Sequence, residues 1–387
     1  MPRDSRNRRR AFACGVAAVA TLAHVPVAIA VVTMLRRFGT SCSIPVGIAW
    51  AIFMGGLFTV VALRSFPDRR TSPRAAALWV LPCSIEACAA FFALFPSALA
   101  TLPVLLCEVA CRVPTRLPTE VYSWSYAVGL ALSAYGTLVR RRRVRVVKRE
   151  LRIAVLDRRL DGLCIAHLSD LHIGSLTPKS WGLEWARIAT RHAPDLVVVT
   201  GDLITSGTDY LDDAADVVGA LRAQLGVFVS LGNHDHFGDV LALMSKLTQS
   251  GARVLRNEGT VLEHRGARLW LAGVDDTWPR RADLALALAG RPDGMTTLLL
   301  SHDPRIFAQA ARNDVDLILS GHTHAGQIAV PFAVETLNLS RLTTPYSAGL
   351  YHQGRSTLYV NSGLGTTGPP IRIGAAPEIT LLELRPS

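Results

Sequence analysis

Residues 163–172 read LCIAHLSDLH, an apolar run that closes on Asp170 and His172, two positions apart. A short run of this kind suits a strand buried on both faces. The same device recurs along the second half of the chain. LVVVTGD at 196–202 ends in Asp202, and FVSLGNHD at 228–235 brings Asn233, His234 and Asp235. LLLSHD at 298–303 brings His302, and LILSGHTH at 317–324 brings His322 and His324. Further apolar runs fall at 269–272, 358–360 and 379–384, with helical patterns at 180–192 and 212–224. Near-continuous Val/Ile/Leu strands alternating with helices predict an α/β fold of sheets covered by helices. In such folds functional groups gather on loops just beyond the carboxyl ends of strands, and all five clusters occupy that place. The glycines at 201, 232 and 321 fit a chain that turns sharply and comes close to a ligand.

The residue types then say what the loops can do. Asp170 and His172 project to one side of an extended segment, and His322 with His324 repeat the arrangement. Each is a chelating pair for a borderline divalent metal. Asp202 is a lone carboxylate able to bridge two ions, Asn233 adds an amide oxygen, and His302 adds an imidazole. This mixture suits Mn, Fe, Zn or Co better than Mg, which prefers oxygen-only octahedra. Two ions some ~3.5–4 Å apart share a water, lower its pKa and clamp a phosphoryl group in line. The expected chemistry is therefore hydrolysis, with no serine or cysteine nucleophile required. His234, next to Asn233, should point towards substrate and donate a proton to the leaving oxygen. Asp235 is expected to bond an imidazole nitrogen and fix its tautomer.

The first part of the chain is of another kind. Residues 1–150 hold 20 Lys+Arg against 6 Asp+Glu, a net of +14; the remaining 21 and 24 give −3. The overall +11 thus comes from the first part, where arginines punctuate apolar runs, so a nucleic-acid partner is not expected. Residues 11–35, 44–63, 75–95 and 120–139 are each long enough for about 20 residues of membrane helix, and residues 97–111 read as a short re-entrant or interfacial piece. The first run could alternatively be a signal peptide, with arginines at 8–10 and Ala28-Ile29-Ala30 as a cleavage site; its continuation to residue 35 favours an anchor.

Heavy arginine clusters at 6–10, 64–74 and 140–149 alternate with light loops at 36–37 and 112–116. That alternation predicts both ends on the inner side of the cell membrane and a cytoplasmic soluble part. His24 and Glu86, polar groups within the spans, should face the interior of the bundle. Six of the seven cysteines lie in this part with no paired spacing, as in a reducing compartment. The expected organisation is a multi-span transmembrane domain at 1–139, a basic linker at 140–150 lying along anionic headgroups, and a catalytic domain at 151–387.

Taken in order, Asp-x-His, Gly-Asp, Gly-Asn-His-Asp, a further His after a strand and Gly-His-x-His resemble the calcineurin-like metallophosphoesterases over about residues 160–385. The resemblance implies a four-layer αββα sandwich. It also implies one metal held by Asp170, His172, Asp202 and His324, a second held by Asp202, Asn233, His302 and His322, and His234 as the catalytic histidine. The HLSDLH motif at 167–172, AGQI at 325–328, GLGT at 363–366, PIR at 370–372 and PEIT at 377–380 are similar to the membrane-associated bacterial phosphodiesterase branch. That branch includes enzymes acting on the pyrophosphate of UDP-diacylglucosamine. Ala325 departs from it, because a glycine is usual there; a positive φ would make alanine resist.

Three residues are candidates for substrate contact: Arg372 towards a phosphate, and Trp181 and Trp278 along an apolar approach to the metals. The substrate expected is a phosphodiester or pyrophosphate, lipid-linked or nucleotide-lipid in kind. A general phosphatase or a phosphodiesterase for soluble nucleotides is the alternative within the enzyme class. A membrane sensor or transporter subunit with a regulatory metal domain is the alternative outside it. His167 reads as a core residue, and His192, His236, His264 and His352 as surface or loop groups.

Overall fold

The computed structural model describes residues 15, 17–37, 39, 43–64, 70–72, 75–111, 119–278 and 280–387. They fall into two compact units, one drawn from 1–66, 72–139 and 368–371, the other from 67–71, 140–367 and 372–387.

The first unit is helical: α1 is Val25–Arg37, α2 Ser43–Arg64, α3 Leu81–Cys111 and α4 Thr119–Leu138. Ile44–Val61 and Leu78–Val104 are long and apolar enough to cross a bilayer; the apolar stretch Ala17–Thr33 is shorter. The four expected spans are thus two among the described residues, since α4 carries Glu120 and serines at 123, 125 and 133 that dilute its apolar character. The break expected after residue 95 is also absent. Residues 81–111 form one helix running through Pro96 and Pro103, and the Thr101 hydroxyl donates to the Ser97 carbonyl at 2.6 Å. Prolines are tolerated in apolar helices where side chains and neighbours satisfy the freed backbone groups. The helical backbone turns at His24, just before Val25-Pro26. The buried His24 ring lies 2.9 Å from the Glu86 carboxylate, which also accepts from the Tyr126 hydroxyl, so these polar groups face the unit's interior. The arginines at 6–10, 69, 74, 112 and 116 lie outside the described residues.

The second unit contains two six-stranded sheets. The first sheet is built from β1 (Arg145–Ile153), β2 (Cys164–Leu168), β3 (Leu196–Thr200), β4 (Val227–Ser230), β5 (Arg253–Val254) and β12 (Glu378–Pro386), in the order β1-β12-β2-β3-β4-β5. The second comprises β6 (Glu258–His264), β7 (Ala267–Gly273), β8 (Thr297–Leu300), β9 (Leu317–Ser320), β10 (Gly349–Gln353) and β11 (Ser356–Val360), in the order β10-β11-β9-β8-β7-β6. The strands β2 to β5 run parallel, as do β7, β8, β9 and β11.

Alternation along each strand sorts the core into layers. Leu196 and Val198 of β3, Leu298 and Leu300 of β8, and Leu317 and Leu319 of β9 share one cluster between the sheets. Their neighbours Val197 and Val199 face outward with Trp185, Val217 and Leu243, which lie on the helices α5 (Lys179–Thr190), α6 (Leu211–Gly219) and α7 (Val240–Gln249). Leu299 and Ile318 face the other way, onto the helices α8 (Leu284–Ala287) and α9 (Phe307–Arg312). Helix, sheet, sheet, helix is the order of layers.

The segment 140–150, expected as a linker along headgroups, instead enters the first sheet: Arg145 to Ile153 pair in parallel with Glu378 to Pro386. A charged edge strand satisfies its backbone on one side and keeps its arginines in solvent.

Candidate metal centre

Both sheets deliver their parallel strands to the same loops. Asp170 N–H donates to the Gly201 carbonyl at 3.0 Å and His172 N–H to the Asp202 carbonyl at 2.9 Å, which zips the loops after β2 and β3 together. His322 N–H, after β9, donates to both oxygens of Asp170 at 3.1 and 3.0 Å. Gly321 permits that approach: a side-chain carbon there would overlap the Ser169 hydroxyl and the Asp170 carboxylate. Asp170, His172, Asp202, His322 and His324 all have φ between 45° and 70°, a left-handed backbone that Asp and His accept more readily than most residues.

Within this frame the ring nitrogens converge. His172 Nε2 and His324 Nε2 are 3.1 Å apart, and His324 Nε2 is 3.3 Å from Asp170 Oδ1. On the other side His322 Nδ1 is 3.1 Å from His302 Nε2. Asp202 Oδ2 stands between the two groups, 3.5 Å from His172 Nε2 and 3.2 Å from His302 Nε2. Candidate ligand atoms of Asp170, His172 and His324 lie within 4.8 Å of one another, as do those of Asp202, His302 and His322. Asn233 Oδ1 is buried and, like His172 Nδ1, has no hydrogen-bond partner among the described residues. Ring nitrogens that meet at 3.1 Å beside two carboxylates and a buried amide oxygen fit a set of donors for divalent cations.

Electrostatics point the same way for three of the four rings, while at His302 burial is outweighed by Asp202, which holds that ring above its usual range. Burial lowers His172 to about 3 and His322 to about 4, and puts His324 well below its usual range, so these imidazoles are neutral. Neutral rings are the form that binds metal. Burial, with Asp202 nearby, raises Asp170 to about 6. Burial would raise Asp202 too, but His302 and His234 outweigh it and hold that carboxylate well below its usual range. His302 Nδ1 lies 2.8 Å from the Thr200 carbonyl, which fixes the N–H there and turns Nε2 towards Asp202. His234 is set in the same way, with Nδ1 2.6 Å from the Thr205 carbonyl and Nε2 3.4 Å from the Thr367 hydroxyl.

Three expectations are corrected. Asp235 bonds no imidazole among its hydrogen-bond partners: Oδ2 accepts from Asp202 and Gly232 N–H at 3.0 and 2.9 Å, and Oδ1 from Leu203 and Ile204 N–H at 2.8 and 3.3 Å. It pins the Asp202 loop to the Asn233 loop. Arg372, expected at a substrate phosphate, is wholly buried. Its guanidinium donates to the carbonyls of Ser362 (2.9 Å), Gly363 (3.1 Å) and Gly365 (2.7 Å), and Nη2 lies 3.3 Å from His324 Nδ1. Trp181 packs with the guanidinium groups of Arg141 and Arg142, 5.0 and 5.1 Å from its ring centre, rather than lining an approach to the metals. Trp278 is exposed beside Thr277, whose hydroxyl donates to Asp303.

Among the remaining histidines, His167 is a core residue bonded to the Thr200 hydroxyl at 2.8 Å, and His236 lies 2.6 Å from Asp275 Oδ1. His264, expected at the surface, is buried on β6. The loop 362–365 was not anticipated as part of the site. Its signal was the glycine pair, since a side-chain carbon at Gly363 would sit 2.8 Å from Asp170 Cβ and one at Gly365 2.8 Å from His172 Cβ.

Residues 164–326 match the family model described as calcineurin-like phosphoesterase. The chain is 34% identical over 268 residues to a transmembrane protein with metallophosphoesterase domain from Danio rerio, covering 66% of this chain and 60% of that one. It is 34% identical to an uncharacterized metallophosphoesterase of Helicobacter pylori, covering 60% of this chain and 62% of the relative. A third relative, an uncharacterized metallophosphoesterase of Bacillus subtilis, is 31% identical over 251 residues, 62% of this chain and 86% of its own length. The chain thus spans about three fifths of the first two and most of the third. On this likeness the chain belongs to the calcineurin-like phosphoesterase family.

Proposed function

We propose that the chain is a membrane-anchored, metal-dependent phosphoesterase that hydrolyses a phosphodiester or pyrophosphate bond in a lipid-linked or nucleotide-lipid substrate. The observation that carries the reading is the pair of ligand groups that meet at Asp202 Oδ2, 3.5 Å from one and 3.2 Å from the other. Asp170, His172, Asp202 and His324 would hold one divalent cation, and Asp202, Asn233, His302 and His322 a second. When bound, such ions polarise a phosphoryl group and make a water nucleophilic near neutral pH.

The chain's own residues supply the rest. His234 stands at the edge of the cluster, its ring centre 4.7 Å from that of His172. With the Nδ1–H committed to the Thr205 carbonyl, Nε2 faces the site and, in the imidazolium form, would hand its proton to the leaving oxygen and return to the neutral ring. Asp235 and Arg372 hold the loops at fixed separations, so the ligands are placed before substrate arrives.

The two long apolar helices support membrane anchoring. The arginine distribution supports a cytoplasmic catalytic unit. The residues 151–387 would form that unit, with 140–150 leading into it as part of its first sheet.

The test is hydrolysis of bis-aryl and mono-aryl phosphates by the full chain in detergent, supplied in turn with Mn, Fe, Zn or Co, beside an Asn233→Ala control. Metal-dependent turnover favouring the diester and lost in the control is expected. Absence of turnover with every metal would refute the reading.

A further inference from the structure

Residues Leu339–Leu342 form a single 3-10 turn, LSRL, next to the proposed centre. Asn338 caps it, its Oδ1 accepting from the Ser340 hydroxyl at 2.6 Å and from Arg341 N–H at 3.2 Å. With three residues per turn, side chains three apart eclipse. Leu339 and Leu342 therefore share one face, and Ser340 and Thr343 share another.

The hydroxyl face borders a cavity, with Thr344 buried, Ser340 half-buried and Thr343 exposed at its mouth. Ser340, Thr343 and Thr344 line a cavity of about 170 Å³ together with His322, Arg305 and Asp303. The leucine face looks outward: Leu342 is 85% exposed and Leu339 nearly half exposed, and Phe332 on the same segment is wholly exposed. The turn is fixed in place rather than free to swing, because Leu339 N–H donates to the Ile328 carbonyl at 3.3 Å. It also rests on Gly326, where a side-chain carbon would come within 2.6 Å of Leu339 N. A soluble loop ordinarily points its leucines at the protein; here they point at water. Exposed apolar groups clustered beside a polar cavity mark a surface that is covered in use.

We propose that this turn is the chain-binding rim of the substrate site, and that the substrate is an amphiphilic phosphodiester with a hydroxylated head. The inference rests on the phosphoesterase reading and assigns its polar and apolar subsites. The head enters the cavity beside His322. Arg305 is held by Asp303 at 2.5 Å, so its charge is balanced within the cavity wall, beside the hydroxyls of Ser340, Thr343 and Thr344. Those partners suit the hydroxyls of a sugar or glycerol better than a second bare phosphate. The hydrocarbon lies outside, over Leu339 and Leu342.

A chromogenic series tests the rim: methyl, hexyl and decyl p-nitrophenyl phosphate, below their micellar concentrations, with the full chain held in amphipol. Wild type is expected to gain roughly 10- to 100-fold in kcat/KM from methyl to decyl, the scale of half-covering two large apolar side chains. In Leu339→Ser/Leu342→Ser that ratio should collapse to within about threefold. Leu241→Ser, an equally exposed leucine on α7, should leave the ratio and both rates unchanged. A flat chain-length series in wild type, or an equal gain in the double variant, overturns the rim while leaving the phosphoesterase standing. Failure to cleave even the methyl ester with any metal overturns the phosphoesterase reading and the rim with it.

Discussion

Arg372 is the position where the structure makes its sharpest demand. The side chain is wholly buried, and its hydrogen-bond partners are three carbonyls of the loop 362–365, that of Ala376, and a ring nitrogen of His324. Burial, with Arg140 adding to it, lowers the guanidinium to about 10, still charged at neutral pH. Replacing it by Met keeps most of the volume and removes all of the donors. The carbonyls of Ser362, Gly363 and Gly365 are then left dry, at about 1–3 kcal/mol each, a gross loss of roughly 3–9 kcal/mol. Relief from burying a charge returns several kcal/mol of that. The net destabilisation is therefore about 2–5 kcal/mol, or roughly 4–20 °C in Tm for a unit of this size.

The more telling effect is on metal. Without the guanidinium, the 362–365 loop that backs Asp170 and His172 and the place of the neighbouring His324 ring are no longer fixed, and loss of a group that orients metal ligands typically weakens metal binding about 10–100-fold. Competition with a chromogenic chelator for Mn or Zn at low temperature, where circular dichroism still reports a folded chain, measures this directly. Arg372→Lys keeps one donor but not the fork and should fall between. An Arg372→Met protein that binds metal as wild type does, even with a lowered Tm, would refute the positioning role and leave Arg372 as loop scaffolding alone.

Three further outcomes follow from the same geometry. Asp235→Asn puts an amide N–H₂ against backbone donors that now meet oxygen, and should cost about 2–4 kcal/mol in denaturant unfolding; a change under ~0.5 kcal/mol would remove Asp235 from the frame. Ala325 has φ 49°, so Ala325→Gly relieves roughly 1–2 kcal/mol of left-handed strain, and the lost buried methyl returns about 0.8 kcal/mol. The net gain of roughly 0.2–1.2 kcal/mol should raise its Tm by no more than about 5 °C. Burial would raise Asp275, but hydrogen bonds from His236 and Arg256 pull it down to about 2. A folded pKa below the unfolded value near ~3.9 gives stability that is present above pH 4 and lost as pH falls towards 2. Asp275→Asn should flatten that acid limb in denaturation midpoints measured from pH 7 to pH 2.

How much of this could be read from the chain depends on what signalled each part. The central strands β2, β3, β4, β8 and β9 are buried on both faces and therefore spell themselves out as Val/Ile/Leu runs. The edges do not. RVVKRELRI at 145–153 is a strand whose exposed positions are filled by arginine, lysine and glutamate, so its composition resembles a linker. Its pairing with β12 spans more than 230 positions of sequence and leaves no local trace. Arg372 and Asp235 were misjudged for a related reason. A charged residue reads as a surface or substrate group unless one knows that a turn has folded its carbonyls or amides around it. The helix 81–111 hid in the opposite sense, since two prolines suggested an end that the apolar surroundings do not impose.

The metal loops were legible as residue types and illegible as conformation, and the difference bears on function. Five of the seven candidate ligands have left-handed backbones, each at a cost of about 1 kcal/mol or somewhat less for Asp and His. Nothing in Asp-x-His or His-x-His announces this. Such strain persists only where the surroundings over-determine it. Here the surroundings are identifiable: Asp170 and His172 N–H on the carbonyls of Gly201 and Asp202, His322 N–H on the Asp170 carboxylate, and Asp235 on four amides. These bonds join loops from both sheets and are made between protein groups alone. Loops tied to one another in this way limit how far the candidate ligands can move apart, and the glycines at 321, 363 and 365 are where the chain makes room for that arrangement.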